Sequence, residues 1–300
     1  MHKRNPRFKR VPGVAPIWLT ERDWQIIKLV HRHRFLRSDQ IIAFVGASRQ
    51  QMLRRLALLF HHGYLERPRA QLVRRSGGGT ATMVYGLGRK GGVMLRQQFG
   101  LTVNAYSWNE RNHVVGRVYL DHALCVADVM LALELACRTH GGVQLRYDDE
   151  LALPMEKQPF QWQVTVGRST KLGIVPDRVF ALDYTDAAGN QRAYFFLEAD
   201  RGTMPVMRHG LAQTSFFRKL LAYHATWKQD IHRHKLGIPR FRVLTVTKSA
   251  MRVQTMVQAC VALGRTQGLF LFADTSILSG DILSNIWQTG KPDAMGGLLD

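Results

Sequence analysis

The segment from Ile174 to Asp200 confines this chain to one local arrangement. Ile174-Val175-Pro176-Asp177-Arg178-Val179-Phe180-Ala181-Leu182-Asp183-Tyr184 reads as a mostly apolar strand, Asp186-Ala187-Ala188-Gly189-Asn190 as a turn, and Gln191 to Asp200 (QRAYFFLEAD) as a second strand. If the hairpin folds about Ala187-Ala188, paired positions sum to about 375 and Asp177 stands opposite Glu198. Side chains alternate faces along a strand, so Asp200 joins Glu198 on one side. Three carboxylates then converge at one end of otherwise apolar strands. Acids buried together repel one another unless a cation compensates them. The pattern points to a divalent-metal site.

Charge divides the chain. Residues 1–100 hold 20 Lys and Arg against 4 Asp and Glu, whereas residues 101–300 hold 22 against 18. A device for general solubility would not confine most of the excess to one third of the chain. A basic module facing a polyanion would, and nucleic acid is the polyanion this pattern fits best. An anionic membrane surface fits less well, because no basic helix leaves an unbroken apolar face free for lipid.

Within that basic third the order of elements is informative. Residues 1–16 carry Lys3, Arg4, Arg7, Lys9 and Arg10 without an acid, and are expected as a flexible arm. Thr20-Glu21-Arg22-Asp23 opens a first helix with Trp24, Ile27 and Val30 inward. A second helix follows Ser38 and stops at Gly46. A third runs from Ser48 to about His62 with Met52, Leu56, Leu59 and Phe60 inward, and stops at Gly63. Strands near Tyr64–Arg67 and Met83–Leu87 flank a loop with Arg74, Arg75 and three glycines. Three helices and a hairpin form the order of a winged helix, expected over residues 17–100. The third helix is then the recognition helix, presenting Arg49, Gln50 and Arg54, with Arg74, Arg75, Arg89 and Lys90 on the wing and its base. The glycine-rich run Gly86–Gly92 lacks the ending of a phosphate-binding loop and reads as turn chemistry.

Residues 101–115 read as a linker, 116–275 as a second domain, and the Gly- and polar-rich residues 276–300 as a peripheral tail. The second domain alternates a long helix from Gly116 to His140, strand Val143–Asp148, the acid hairpin, helix Leu211–Trp227, strand Phe241–Val246, helix Ala250–Leu263 and strand Leu269–Ala273. That order gives a mixed sheet with flanking helices. Cys125, Cys137 and Cys260 are odd in number, widely spaced and set among apolar neighbours, as core residues of a reduced cytoplasmic protein would be. No apolar run reaches the length of a membrane span, and no apolar segment follows the basic start as in a secretory signal. The histidine groups at 31–33, 61–62 and 232–234 lack convergent spacing and read as surface residues.

Pro176-Asp177 followed by Glu198-Ala199-Asp200 resembles the PD-(D/E)xK nuclease pattern, and so does the surrounding order of helices and strands. That resemblance implies a restriction-endonuclease-like domain with a central mixed sheet. It further implies that Mg²⁺ (or Mn²⁺) is held by Asp177 and Glu198, with a lysine to activate water. Here Asp200 stands where the lysine is usual. Lys219, one turn from Tyr223 on the next helix, is the candidate replacement, and Glu150 a candidate further ligand. Asp200 would then act as a ligand or position the water. The basic winged helix together with VPDRVFAL, YFFLEADRGTM and RKLLAYHATW resembles the replication-relaxation family of bacterial plasmids and integrative elements.

This resemblance implies a bacterial DNA-binding protein of a mobile genetic element, cleaving or nicking DNA in its replication or transfer. Other replication or transfer proteins and a second copy of the chain are expected partners. Two other readings stay open. One is a non-catalytic DNA-binding accessory or transcriptional regulator on a retired nuclease fold. The other makes the acids a buried ionic network with Arg178 or Arg201.

Overall fold

In the computed structural model, which describes residues 7–12, 14–72, 82–101, 115–154, 160–264, 266 and 268–299, the first helix begins where the sequence places it. Thr20 and Asp23 form a capping box at the start of α1 (Glu21–His33): the Asp23 carboxylate accepts from the Thr20 N–H at 2.7 Å, and the Thr20 hydroxyl accepts from the Asp23 N–H. Ile26, Ile27 and Val30 are fully buried beneath it. Asp23 is buried as well, paired with Arg55, so this first-turn acid does more than complement the helix dipole.

A short strand β1 (Phe35–Arg37), which sequence patterning does not reveal, leads into α2 (Ser38–Val45). Gly46, at φ +69°, ends α2 in the left-handed region. Next comes α3 (Arg49–His61), with Met52, Leu56, Leu59 and Phe60 buried. β2 (Leu65–Glu66) and β3 (Val84–Leu87) complete a three-stranded antiparallel sheet in the order β1-β3-β2. Helix α4 (Arg89–Phe99) follows. The glycines at its start have a packing reason: a Cβ on Gly88 or Gly91 would collide with the carbonyls of Gly63 and Tyr64.

The described part of the N-terminal arm, residues 7–12 and 14–16, does not hang free as expected. Arg10 pairs with the buried Glu66 and donates to the Phe60 carbonyl at 3.0 Å, while Arg67 donates to the Arg7 carbonyl at 2.7 Å. The cause is Glu66: an acid 2% exposed needs a cation, and Arg10 supplies it.

The chain divides into two compact units, Met1–Asp128 and Val129–Asp300. The division falls inside helix α5 (Arg117–His140), not in the expected linker, of which residues 102–114 lie outside the described residues. In the first unit Leu120 packs with Phe35 and Val84.

The second unit contains β4 (Val143–Tyr147), a hairpin of β5 (Trp162–Val166) and β6 (Thr170–Ile174), then β7 (Arg178–Asp186) and β8 (Gly189–Ala199). After these come α6 (Phe216–Lys228), a short helix Ile231–His234, β9 (Phe241–Thr247), α7 (Ala250–Val261), β10 (Phe270–Asp274), β11 (Trp287–Thr289) and β12 (Met295–Gly296). A seven-stranded mixed sheet runs β12-β11-β10-β9-β8-β7-β4. Its centre, β8-β9-β10, is parallel and the other pairings are antiparallel.

The hairpin register is the expected one. Arg178 pairs with Leu197 and Asp186 with Gly189, leaving Ala187-Ala188 as the turn. The first apolar run is not one strand, however: Ile174 ends β6, and β7 begins only at Arg178. Pro176 lacks the N–H that a continuous ladder needs. Helix α6 starts at Phe216 rather than Leu211, capped by the Ser215 hydroxyl, so residues 200–215 form a loop.

One face of the sheet carries Val179, Ala181, Phe196 and Val243. It is covered by Leu220 and Tyr223 of α6, Met256 and Cys260 of α7, and Trp162 and Leu172 of the small hairpin. Burying each such large apolar side chain contributes about 1.5–3 kcal/mol. Residues 276–299 of the expected peripheral tail add β11 and β12 to one edge of the sheet and bury Ile282, Trp287 and Leu298. Polar and glycine-rich composition conceals these three anchors. Two of the histidines expected at the surface, His33 and His232, are buried, and His232 stacks on Trp227 at 4.7 Å. No helix among the described residues is long and apolar enough to cross a membrane.

Candidate functional site

Strand parity gathers the acids. Val179 and Phe196 are paired and lie in the core, so Asp177 and Glu198, two positions along their strands, share that core face. Beside Glu198 on the parallel neighbour β9 is Thr245, and Thr247 follows on the same face. The apolar face therefore turns polar at the carboxyl ends of β8 and β9, the place where open α/β sheets commonly bind ligands.

Asp177 lies just before β7. Its N–H donates to the Leu197 carbonyl at 3.0 Å, and its carboxylate accepts from the Ala199 N–H at 2.8 Å. Glu198 is 2% exposed. One of its oxygens accepts from the Lys219 ammonium and the other from the Tyr223 hydroxyl at 2.7 Å. Lys219 and Tyr223 are one helical turn apart on α6, so both reach the same carboxylate. Burial pushes the Glu198 carboxyl up to about 7, against the opposing pull of Lys219, and the nearby charge of Asp177 adds to the rise. For Lys219, burial works against the charged form, but the charges of Glu198 and Asp177 outweigh it and hold the ammonium above its ordinary range.

Asp200 has another task. Burial opposes its ionisation, yet hydrogen bonds from Arg252 and Thr247 hold it below the usual carboxylate range. Arg252 binds both of its oxygens, at 2.5 and 3.0 Å, the Thr247 hydroxyl donates at 2.6 Å, and the Gly202 N–H donates at 3.1 Å. The cation on this acid is thus Arg252, not the adjacent Arg201. Glu150 does not join the group. It sits in the exposed turn after β4 and pairs with Arg146 at 3.5 Å. Arg178 exerts its charge on Asp148.

Among the described residues, no group of three His, Cys, Asp or Glu could hold a metal ion. Of the four expected carboxylates, Asp200 is taken by Arg252 and Glu150 by Arg146, so a metal such as Mg²⁺, commonly bound through one or two carboxylates together with substrate phosphate, would have to be held by Asp177 and Glu198.

On the first unit, Arg49, Gln50 and Arg54 are exposed on α3, away from the buried Met52, Leu56 and Leu59. Arg89 and Lys90 are exposed in the first turn of α4. Arg74 and Arg75 lie outside the described residues. Arg55, next to Arg54, turns inward to Asp23. Sequence reasoning misses Arg252 and Thr247, whose only available signal is the unusual acid at Asp200. Tyr223 is visible one turn beyond Lys219, but only the structure gives it a role on Glu198.

A family model described as replication-relaxation matches residues 27–240 of the chain. No curated protein and no solved structure gives a significant match.

Proposed function

We propose that this chain, which belongs to the replication-relaxation family, binds DNA of a plasmid or other mobile element and cuts or nicks it with a divalent metal. The family ties it to replication of such elements. The first unit is read as a winged helix that lays α3 along duplex DNA. Support comes from the exposed Arg49, Gln50 and Arg54 and from the concentration of positive charge in residues 1–100.

The observation that carries the cleavage reading is the meeting of Lys219 with Glu198. The lysine that a nuclease of this pattern needs is absent at Asp200, and α6 brings one to the same carboxylate instead. Asp177 and Glu198 are the residues to hold Mg²⁺ or Mn²⁺, which when bound lowers the pKa of water and offsets charge on the phosphodiester. Lys219 would orient the attacking water or stabilise charge on the transferring phosphate. The test is incubation with supercoiled plasmid and either metal. The parent should yield relaxed circles or linear product, and Asp177→Asn, Glu198→Gln and Lys219→Ala should not, while duplex affinity stays intact.

A second reading has its own observation. Both oxygens of Glu198 already have partners, and Asp200 is satisfied by Arg252, so the cluster is stable without a metal. In that case the protein is a DNA-binding accessory. No metal-dependent cleavage, together with normal function of Asp177→Asn in element replication, would establish it.

A further inference from the structure

We propose that Arg252 is a positioning residue for Lys219, acting through Asp200 and the loop between β8 and α6. This rests on the reading of Lys219 and Glu198 as the reactive pair.

The connection can be followed bond by bond. The Arg252 guanidinium, from the first turn of α7, holds both oxygens of Asp200 at the end of β8, and its Nη2 also donates to the Met204 carbonyl at 2.6 Å. The side chain of Arg252 passes over Gly202, whose φ of +71° places it in the left-handed region. The Gly202 N–H closes back on Asp200, so the first turn of the loop is fixed from both sides. The next two carbonyls grip the start of α6: Pro205 accepts from the Phe216 N–H at 3.0 Å, and Val206 accepts from the Phe217 N–H at 2.9 Å. Phe216 and Val206 are themselves buried in the core. Lys219 is the next turn of that helix.

The side chains of Arg252 and Asp200 are 17% and 8% exposed, little open to water and far less so than those of an ordinary surface pair. A bidentate arginine also fixes direction as well as distance. The acid in the lysine position is therefore the anchor of a strap. By holding residues 200–206 it sets where α6 enters, and hence where the Lys219 ammonium lies relative to Glu198. Lys219 keeps 38% of its side chain exposed, so without that constraint its ammonium can turn to solvent.

The experiment compares the parent with Arg252→Gln, Arg252→Lys and Asp200→Asn. The first readout is acetylation of individual lysines by an amine-reactive acetyl ester, followed by peptide mass spectrometry, with the exposed Lys228 and Lys291 as internal controls. Lys219 labelling is expected to rise several-fold in Arg252→Gln and Asp200→Asn relative to both controls, and to rise less in Arg252→Lys, which keeps the charge but not the two-oxygen grip. A purely structural role would alter all three lysines together or none. The second readout is metal-dependent plasmid relaxation, where kcat should drop by about 100-fold with KM little changed, as for a displaced catalytic group. If the parent shows no relaxation, the nuclease reading fails, and the labelling decides the positioning role alone. Should Arg252→Gln not fold, Asp200→Asn, which leaves Arg252 on the Met204 carbonyl, decides by the same labelling. Unchanged Lys219 labelling in a folded variant overturns the proposal.

Discussion

Replacing Lys219 by methionine removes the cation from Glu198 while keeping most of the side chain's length. Glu198 has 3% of its side chain exposed, against 38% for Lys219. Deleting one partner of a buried ion pair costs about 3–5 kcal/mol. The lysine end is open to water and partly screened, so roughly half of that, ~2 kcal/mol, is the expected loss. The Tyr223 hydroxyl stays on the carboxylate and limits the damage, whereas the Asp177 charge adds to it. Glu198→Gln is a different perturbation. It leaves Lys219 to solvent, retains a hydrogen bond from Tyr223 and should cost no more than about 1 kcal/mol. In the double variant neither charge is left alone, so a coupling of about 1–2 kcal/mol should appear in the cycle. Urea unfolding of all four proteins measures it. For a domain of 150–250 residues, ~2 kcal/mol corresponds to melting about 4–8 °C lower in Lys219→Met. If the two single losses simply add in the double variant, the charges do not meet and the site must be rebuilt without that pair.

Arg49→Ala and Arg54→Ala should each weaken duplex DNA binding and reduce the slope of log affinity against log salt by about 1 for every phosphate that is no longer neutralised; an unchanged slope in the double variant speaks against α3 as the DNA-facing helix. Arg55→Gln strands Asp23 and should cost the first unit about 3–5 kcal/mol in urea unfolding. Burial raises the Asp23 pKa, but hydrogen bonds from Arg55 and Thr20 outweigh it and hold the group below its ordinary value. Its stabilising contribution is therefore full above about pH 4, the unfolded value, and is lost as pH falls through the lower folded one. Arg55→Gln should flatten that acid limb, and a parent-like limb would place its origin elsewhere. Trp287→Ala should destabilise the second unit by about 3–5 kcal/mol, as expected for a fully buried tryptophan, and a neutral result would return residues 276–300 to the status of a tail.

The hairpin is legible because two local signals agree: apolar runs on either side and a short turn at Ala187-Ala188-Gly189. Face and register follow, and with them the shared side of Asp177 and Glu198. The role of Asp200 is not legible. Its partner Arg252 is 52 positions away, and nothing local distinguishes it from Arg201 next door. Lys219 can be nominated from its spacing to Tyr223, but the loop that aims it cannot. β1 is three residues long and takes its strand conformation from pairing with β3. The small hairpin of β5 and β6 is hidden because Ile174 reads as continuous with the run beyond Pro176. In residues 276–300 a few buried side chains hold an otherwise polar segment, and average composition conceals such a pattern.

The far end of the long hairpin offers a handle. β7 and β8 carry the acids at one end and the exposed turn Ala187-Ala188 at the other. At about 3.3 Å of rise per residue, the eight steps from Arg178 to Asp186 separate the two ends by roughly 26 Å. A fluorophore or surface tether attached at Ala187 or Ala188 would ride on the strands that carry Asp177 and Glu198 without touching either. Individual molecules could then be watched on a stretched plasmid, with the attachment point rigidly coupled to the acids and clear of whatever they hold.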